Sequence, residues 1–97
     1  MKSREGLQSN NQIRRYRKRR GYTLKNLAKI MGVLNQGQIN QWENERKTPT
    51  LDNALKLSAT LDCPLEILYL ERFNAIRKEL YPRKVKILQK SHNSEID

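Results

Sequence analysis

Between Thr23 and Trp42, apolar residues fall three and four apart on both sides of Gly32: Leu24, Leu27, Ala28 and Met31 before it, Ile39 and Trp42 after it. That spacing predicts two short amphipathic helices sharing one core across a sharp turn. Thr23 and Asn35 are suited to capping their first turns, and Gly32 can take the left-handed backbone that ends the first of them. Upstream, Ile13, Tyr16, Arg17 and Arg20 lie at helical spacing and Gly21 stops them, which gives a helix ahead of the pair. Downstream, the charged stretch 45–50 with Pro49 reads as a loop. Thr50 then caps a fourth helix whose expected buried stripe is Leu51, Ala54, Leu55, Ser58 and Leu61. After Pro64, a fifth helix is expected to carry Leu65, Leu68, Tyr69, Phe73, Ile76 and Leu80 on one side until Pro82 stops it. Beyond it, Val85 and Ile87 alternate with Lys84 and Lys86, a short strand or a basic tail, with disorder expected after Lys90.

The expectation is therefore an all-α chain with a flexible basic arm over 1–10, a core domain over 11–70, a helix extension over 71–81 and a basic then polar tail over 82–97. At 97 residues such a chain buries roughly 60 to 70% of its extended surface, enough for one core and too little for a large catalytic fold. The longest apolar stretch, 65–70, is interrupted by Glu66, far short of the roughly 20 residues of a membrane span. No export signal is read at the N-terminus, and the lone Cys63 suits a reducing cytoplasm.

The charge narrows the partner. Twenty Lys and Arg stand against ten Asp and Glu, a formal +10. It is segregated: residues 1–20 carry +7 and 72–90 carry +6, while 51–71 carry −3. Blocks of one sign concentrate a polyanion on part of a surface, so nucleic acid leads, with an anionic membrane surface a distant second.

Two short helices joined across a glycine, with a small residue (Ala28) where they cross, meet the geometry of a helix-turn-helix. Ile39 and Trp42 turn one side of the second helix inward. The opposite direction, at about 100° per residue, falls among Gly37, Asn40, Gln41 and Asn44, with Gln36 at the exposed first turn. This side is rich in amides. Asn and Gln offer a donor and an acceptor together, which matches the N6 and N7 edge of adenine in the major groove. The plain alternative is a solvated polar face. Against it, no Lys, Arg or Glu appears between Val33 and Trp42, where charged residues would be the better solubilisers.

On these segments, IRRYR, GYTLKNLAKIMGV, INQWEN and KTPTLDNALKLSATLDCPLEIL, the chain resembles the phage repressor and Cro family, also called XRE-type or lambda-repressor-like. The resemblance covers about 11–69. It implies a five-helix bundle that inserts its third helix into the major groove of double-stranded DNA, as a homodimer on a palindromic operator, acting as a repressor or autoregulator. By position it implies that Gln36, Asn40 and Gln41 read bases. Gly37 occupies a contact position but has no side chain, leaving that base unread or read through backbone or water. It further implies that Thr23, Lys25, Asn44, Arg46 and Lys47 touch phosphates, and that Arg17 and Glu43 form the pair joining helices 1 and 3. Four residues depart from the pattern: Leu34 lengthens the turn, Gly37 lacks a side chain, Leu24 replaces a phosphate-binding Gln, and Glu45 stands where a Gly often ends helix 3.

Outside that unit, Arg14, Arg15, Lys18 and Arg19 are candidates for flanking phosphates, and Lys2 and Arg4 in the arm for the minor groove. The stripe Phe73, Ile76 and Leu80 needs a cover, for which a second copy of the chain is expected. A different class of function is an antitoxin-type interaction protein that engages an acidic partner through 72–90 while its helix-turn-helix binds DNA. RNA binding ranks third, because the polar face lacks stacking aromatics. No catalytic constellation, metal ligand set or cofactor is expected: the only His, His92, falls in the tail expected to be disordered, the only Cys, Cys63, reads as core, and Glu43 and Glu45 point to different sides of a helix.

Overall fold

The computed structural model describes residues 11–93. Its elements are α1 (Ile13–Arg19), α2 (Leu24–Met31), α3 (Gln36–Glu43), α4 (Leu51–Leu61), α5 (Leu65–Leu68) and α6 (Leu70–Asn93). The described chain is all-α, as expected. The arm expected over 1–10 lies outside the described residues.

Local chemistry sets the first four helices. At the start of α2, Thr23 Oγ1 accepts from the Asn26 N–H (2.9 Å) and Asn26 Oδ1 accepts from the Thr23 N–H (3.1 Å), a reciprocal cap closed by Asn. Asn35 Oδ1 caps α3 through the Gln38 N–H (3.3 Å), and Thr50 Oγ1 caps α4 through the Asn53 N–H (3.2 Å). Gly21 and Gly32 are both left-handed, with φ of 83° and 74°. After each, the next N–H reaches back to close the helix: Tyr22 to the Arg17 carbonyl (3.0 Å) and Val33 to that of Ala28 (3.1 Å). Thr50→Ala is expected to cost about 1 kcal/mol in urea unfolding. A loss within error would mean the α4 cap is made by water instead.

The core gathers around α2 and α3. Ile13, Leu27, Ile39, Leu57, Leu61 and Leu68 are fully buried, joined by Ala28, Met31, Trp42 and Cys63. Burial pushes the Cys63 thiol up, which keeps it an uncharged packing residue.

Three expectations are corrected. In α4 the buried residues are Ala54, Leu57 and Leu61, whereas Leu51 and Leu55 are 70% and 51% exposed. The inward stripe runs through Leu57, and Leu51 and Leu55 lie to its flank. The helix expected to run unbroken from Leu65 is interrupted at Tyr69 (φ −116°, ψ 47°), giving six helices in place of five. The reason is a long-range bond: the Leu68 carbonyl is taken by the Gln12 N–H at 2.7 Å, so the ladder starts afresh with Phe73 N–H on the Tyr69 carbonyl (2.8 Å). Finally, α6 passes through Pro82 to Asn93, where a stop at Pro82 and then a short strand or basic tail were expected; of the disorder expected after Lys90, residues 94–97 lie outside the described residues. Proline removes one N–H and crowds the carbonyl four residues back. Here the side chains from Leu70 to Tyr81 are all exposed, and water can satisfy the freed carbonyl.

Candidate nucleic-acid interface

Helix α3 is divided lengthwise. Ile39, Trp42 and Glu43 face inward, at 0%, 4% and 1% exposure. On the other side Gln36, Gly37, Gln38 and Asn40 are exposed and Gln41 is half-buried. A Cβ at Gly37 would sit 2.9 Å from the Asn35 oxygen, so the missing side chain leaves room for the cap as well as for an approaching ligand.

The buried Glu43 is how α1 fixes this helix. Arg17 donates Nε to Glu43 Oε2 (2.6 Å) and Nη2 to Oε1 (3.2 Å), while its Nη1 donates to the Tyr22 carbonyl (3.0 Å). A planar guanidinium that uses three donors in this way holds the angle between the two helices and the turn after α1. Arg14 adds Nε to Glu43 Oε1 (3.3 Å) and Nη2 to Asn44 Oδ1 (3.2 Å). Its guanidinium is thus held against α3, whereas the sequence offered Arg14 as a phosphate contact. Asn44 continues the chain: its Nδ2 donates to the Asn40 carbonyl (2.9 Å) and to Asn40 Oδ1 (2.8 Å). A path of hydrogen bonds therefore runs from α1 to an amide on the exposed side of α3.

Around this side lie the cations. Lys25 is exposed in the first turn of α2 beside Thr23, whose hydroxyl is engaged in its cap. Arg46 and Lys47 are exposed after α3, and their N–H groups donate to the Gln41 carbonyl at 2.9 and 3.4 Å. That double bond to one carbonyl folds the cationic loop back over the last turn of α3. Leu34, in the lengthened turn, is 95% exposed at the other end.

The loop has a support that local sequence reading did not find. Glu45 takes the left-handed conformation (φ 59°) at the place where a glycine was anticipated. For a residue with a Cβ this costs about 1–2 kcal/mol, and the side chain supplies the offset. Glu45 accepts a short hydrogen bond from Asn11 Nδ2 on Oε2 and an ion pair from Arg72 Nη2 on Oε1 (2.8 Å). Asn11 is itself buried and donates to the Trp42 carbonyl (2.8 Å). Arg72 lies over the Tyr69 ring, 5.3 Å from its centroid. Burial and then the Glu45 charge push the Tyr69 phenol up to about 12, with Arg72 opposing. The end of α3 is thereby tied both to the segment just ahead of α1 and to α6, by residues 34 and 27 positions away from Glu45, a separation no local pattern reveals.

A buried-on-one-side helix, held across a glycine turn from a second helix and rimmed by lysine and arginine, defines a helix-turn-helix domain. The helix-turn-helix family model matches residues 13–68, more than half of the chain, and the chain belongs to that family, the XRE-type or lambda-repressor-like proteins. It is a DNA-binding transcription regulator of that type. A search of curated proteins gave no match. Among the described residues no helix is long and apolar enough to cross a membrane.

Proposed function

We propose that the protein is a repressor or autoregulator that binds a two-fold duplex operator as a homodimer, with α3 in the major groove. Gln36, Asn40 and Gln41 read base edges, and Gly37 lets the backbone come close. Thr23, Lys25, Asn44, Arg46 and Lys47 hold the phosphates on either side. The observation that carries this reading is the division of one surface into an uncharged amide side on α3 and cations at its two ends. Amides discriminate bases, whereas cations bind every sequence alike.

Selection of bound fragments from the source genome, followed by titration of variants on the selected duplex and on random DNA, tests it. Gln36→Ala or Gln41→Ala is expected to lose about 1–3 kcal/mol at individual base pairs and little on random DNA. Lys47→Ala is expected to weaken both duplexes together and to lower the salt slope by about one. Equal losses on both duplexes for all three variants would overturn the assignment.

The dimer is proposed to form where apolar surface is left over. An open groove of about 450 Å³ runs between the loop at Pro49, Leu51 and Ala54 of α4, Leu65 of α5, and Phe73 and Ile76 of α6. Two copies paired here would present two α3 helices to half-sites about 34 Å apart.

A further inference from the structure

The long C-terminal helix changes character at Pro82. From Leu70 to Tyr81 it carries Arg72, Arg77 and Lys78 against Glu71 and Glu79, nearly balanced, which suits pairing with a second copy. From Pro82 to Asn93 it carries Arg83, Lys84, Lys86 and Lys90 and no acid. Arg83 reaches back to Glu79 at 3.5 Å. In the same half, Ile87 and Leu88 are 61% and 60% exposed, and with Leu80 they line a shallow hollow of about 370 Å³ bordered by Arg83 and Lys84. Among the described residues this aliphatic strip framed by cations stays exposed, on a helix 24 residues long. A helix that packs on nothing is marginal in water, so a covering surface stabilises it.

We propose that this distal half of α6 is a docking strip for an acidic protein segment that brings its own aliphatic side chains, in the manner of a helix laid on a helix. Charge complementarity selects that occupant. A second copy paired about a two-fold axis through the strip would set Arg83 and Lys84 against their own counterparts, and like charges at close range are costly. Duplex DNA satisfies the cations but offers its backbone no apolar surface for Ile87 and Leu88. A membrane-surface helix needs a broad apolar face, and this strip is only a few side chains wide. Carboxylates flanking leucines or valines satisfy both halves of the pattern. The docking would leave the amide side of α3 untouched, so one chain joins an acidic protein to a DNA site.

A fluorescent helical peptide about three heptads long, with leucine at its a and d positions and glutamate at e and g, is the probe. Such a peptide repels itself at neutral pH and folds on a basic partner. With the full chain it is expected to bind saturably. Arg83→Glu with Lys84→Glu, and separately Ile87→Ser with Leu88→Ser, are each expected to weaken it roughly tenfold. Lys47→Ala is expected to leave it unchanged. All these side chains are exposed, and thermal unfolding of the variants confirms that the fold is kept. Absence of saturable binding overturns the proposal. So does an Ile87→Ser, Leu88→Ser variant that binds like the parent, which would reduce the contact to charge alone. Displacement of the peptide by random duplex would assign the strip to DNA. Displacement by phosphatidylserine vesicles would assign it to a lipid surface, and loss of binding as the chain self-associates would assign it to a second copy.

Discussion

Replacing Arg17 by Met is expected to lower the free energy of unfolding by about 3–5 kcal/mol, because it takes the bidentate partner away from a buried carboxylate. Glu43 is 1% exposed, and Arg17 supplies two of its hydrogen bonds, including the 2.6 Å contact to Oε2. Arg14 retains its own contact to Oε1 at 3.3 Å, but that side chain is 41% exposed and cannot replace a bidentate partner at the inner oxygen. In a domain whose whole stability is on the order of 5–15 kcal/mol, the loss is visible as a large fall in Tm. The double variant Arg17→Met, Glu43→Leu is the informative companion. With no charge left to strand, it is expected to recover most of the loss, since apolar replacement of a buried pair is often neutral or better. Urea unfolding of the parent and both variants checks this. If the single variant cost less than about 1 kcal/mol, Glu43 would have to be solvated in solution, within the range of surface pairs. A double variant as unstable as the single would move the cause from charge to packing.

The parts of this protein that could be read from the chain are those whose causes are local. Thr23, Asn35 and Thr50 cap helices within three residues of themselves. Gly21 and Gly32 end α1 and α2 through their own backbone freedom. The burial of Ile39 and Trp42, and the exposure of Gln36 and Asn40, follow from three-to-four periodicity alone. The Arg17 and Glu43 pair was an implication of the family resemblance. Nothing in the spacing of two residues 26 apart required it.

What was not legible depended on distant partners. The apolar period runs through Tyr69 without a fault, so only the Gln12 N–H claiming the Leu68 carbonyl explains the break. In α4 the sequence offers Leu51, Leu55 and Leu57 as equally apolar, and packing against the other helices chooses Leu57. Pro82, at an intrinsic cost of about 3 kcal/mol in a helix interior, predicts a stop, whereas the exposed α6 carries it through. Glu45 looked like a lost glycine and is held in the left-handed region by Asn11 and Arg72 from both flanks of the domain.

That last contact bears on how pairing and DNA binding are coupled. Phe73→Asp combined with Ile76→Asp is expected to leave a folded monomer that binds the operator roughly 10²–10⁴-fold more weakly, the advantage of holding two half-sites at once. Phe73 and Ile76 are 41% and 47% exposed in the single chain, so their replacement removes little from its own core. They line a groove whose opposite wall is Pro49 and Leu51, a few residues after Arg46 and Lys47. Two carboxylates placed in that apolar groove would each need a partner it does not hold, and apposition across a two-fold axis doubles the repulsion. Arg72, one residue before Phe73, grips Glu45 at the end of α3. In the proposed dimer, pairing on this face would therefore brace the loop at Arg46 and Lys47 through Arg72 and Glu45 as well as set the half-site spacing. On a duplex carrying a single half-site the variant is expected to lose much less than on the full site, with sedimentation giving its mass. Unchanged affinity for the full site, or a parent chain that is monomeric while saturating it, would refute pairing through this groove.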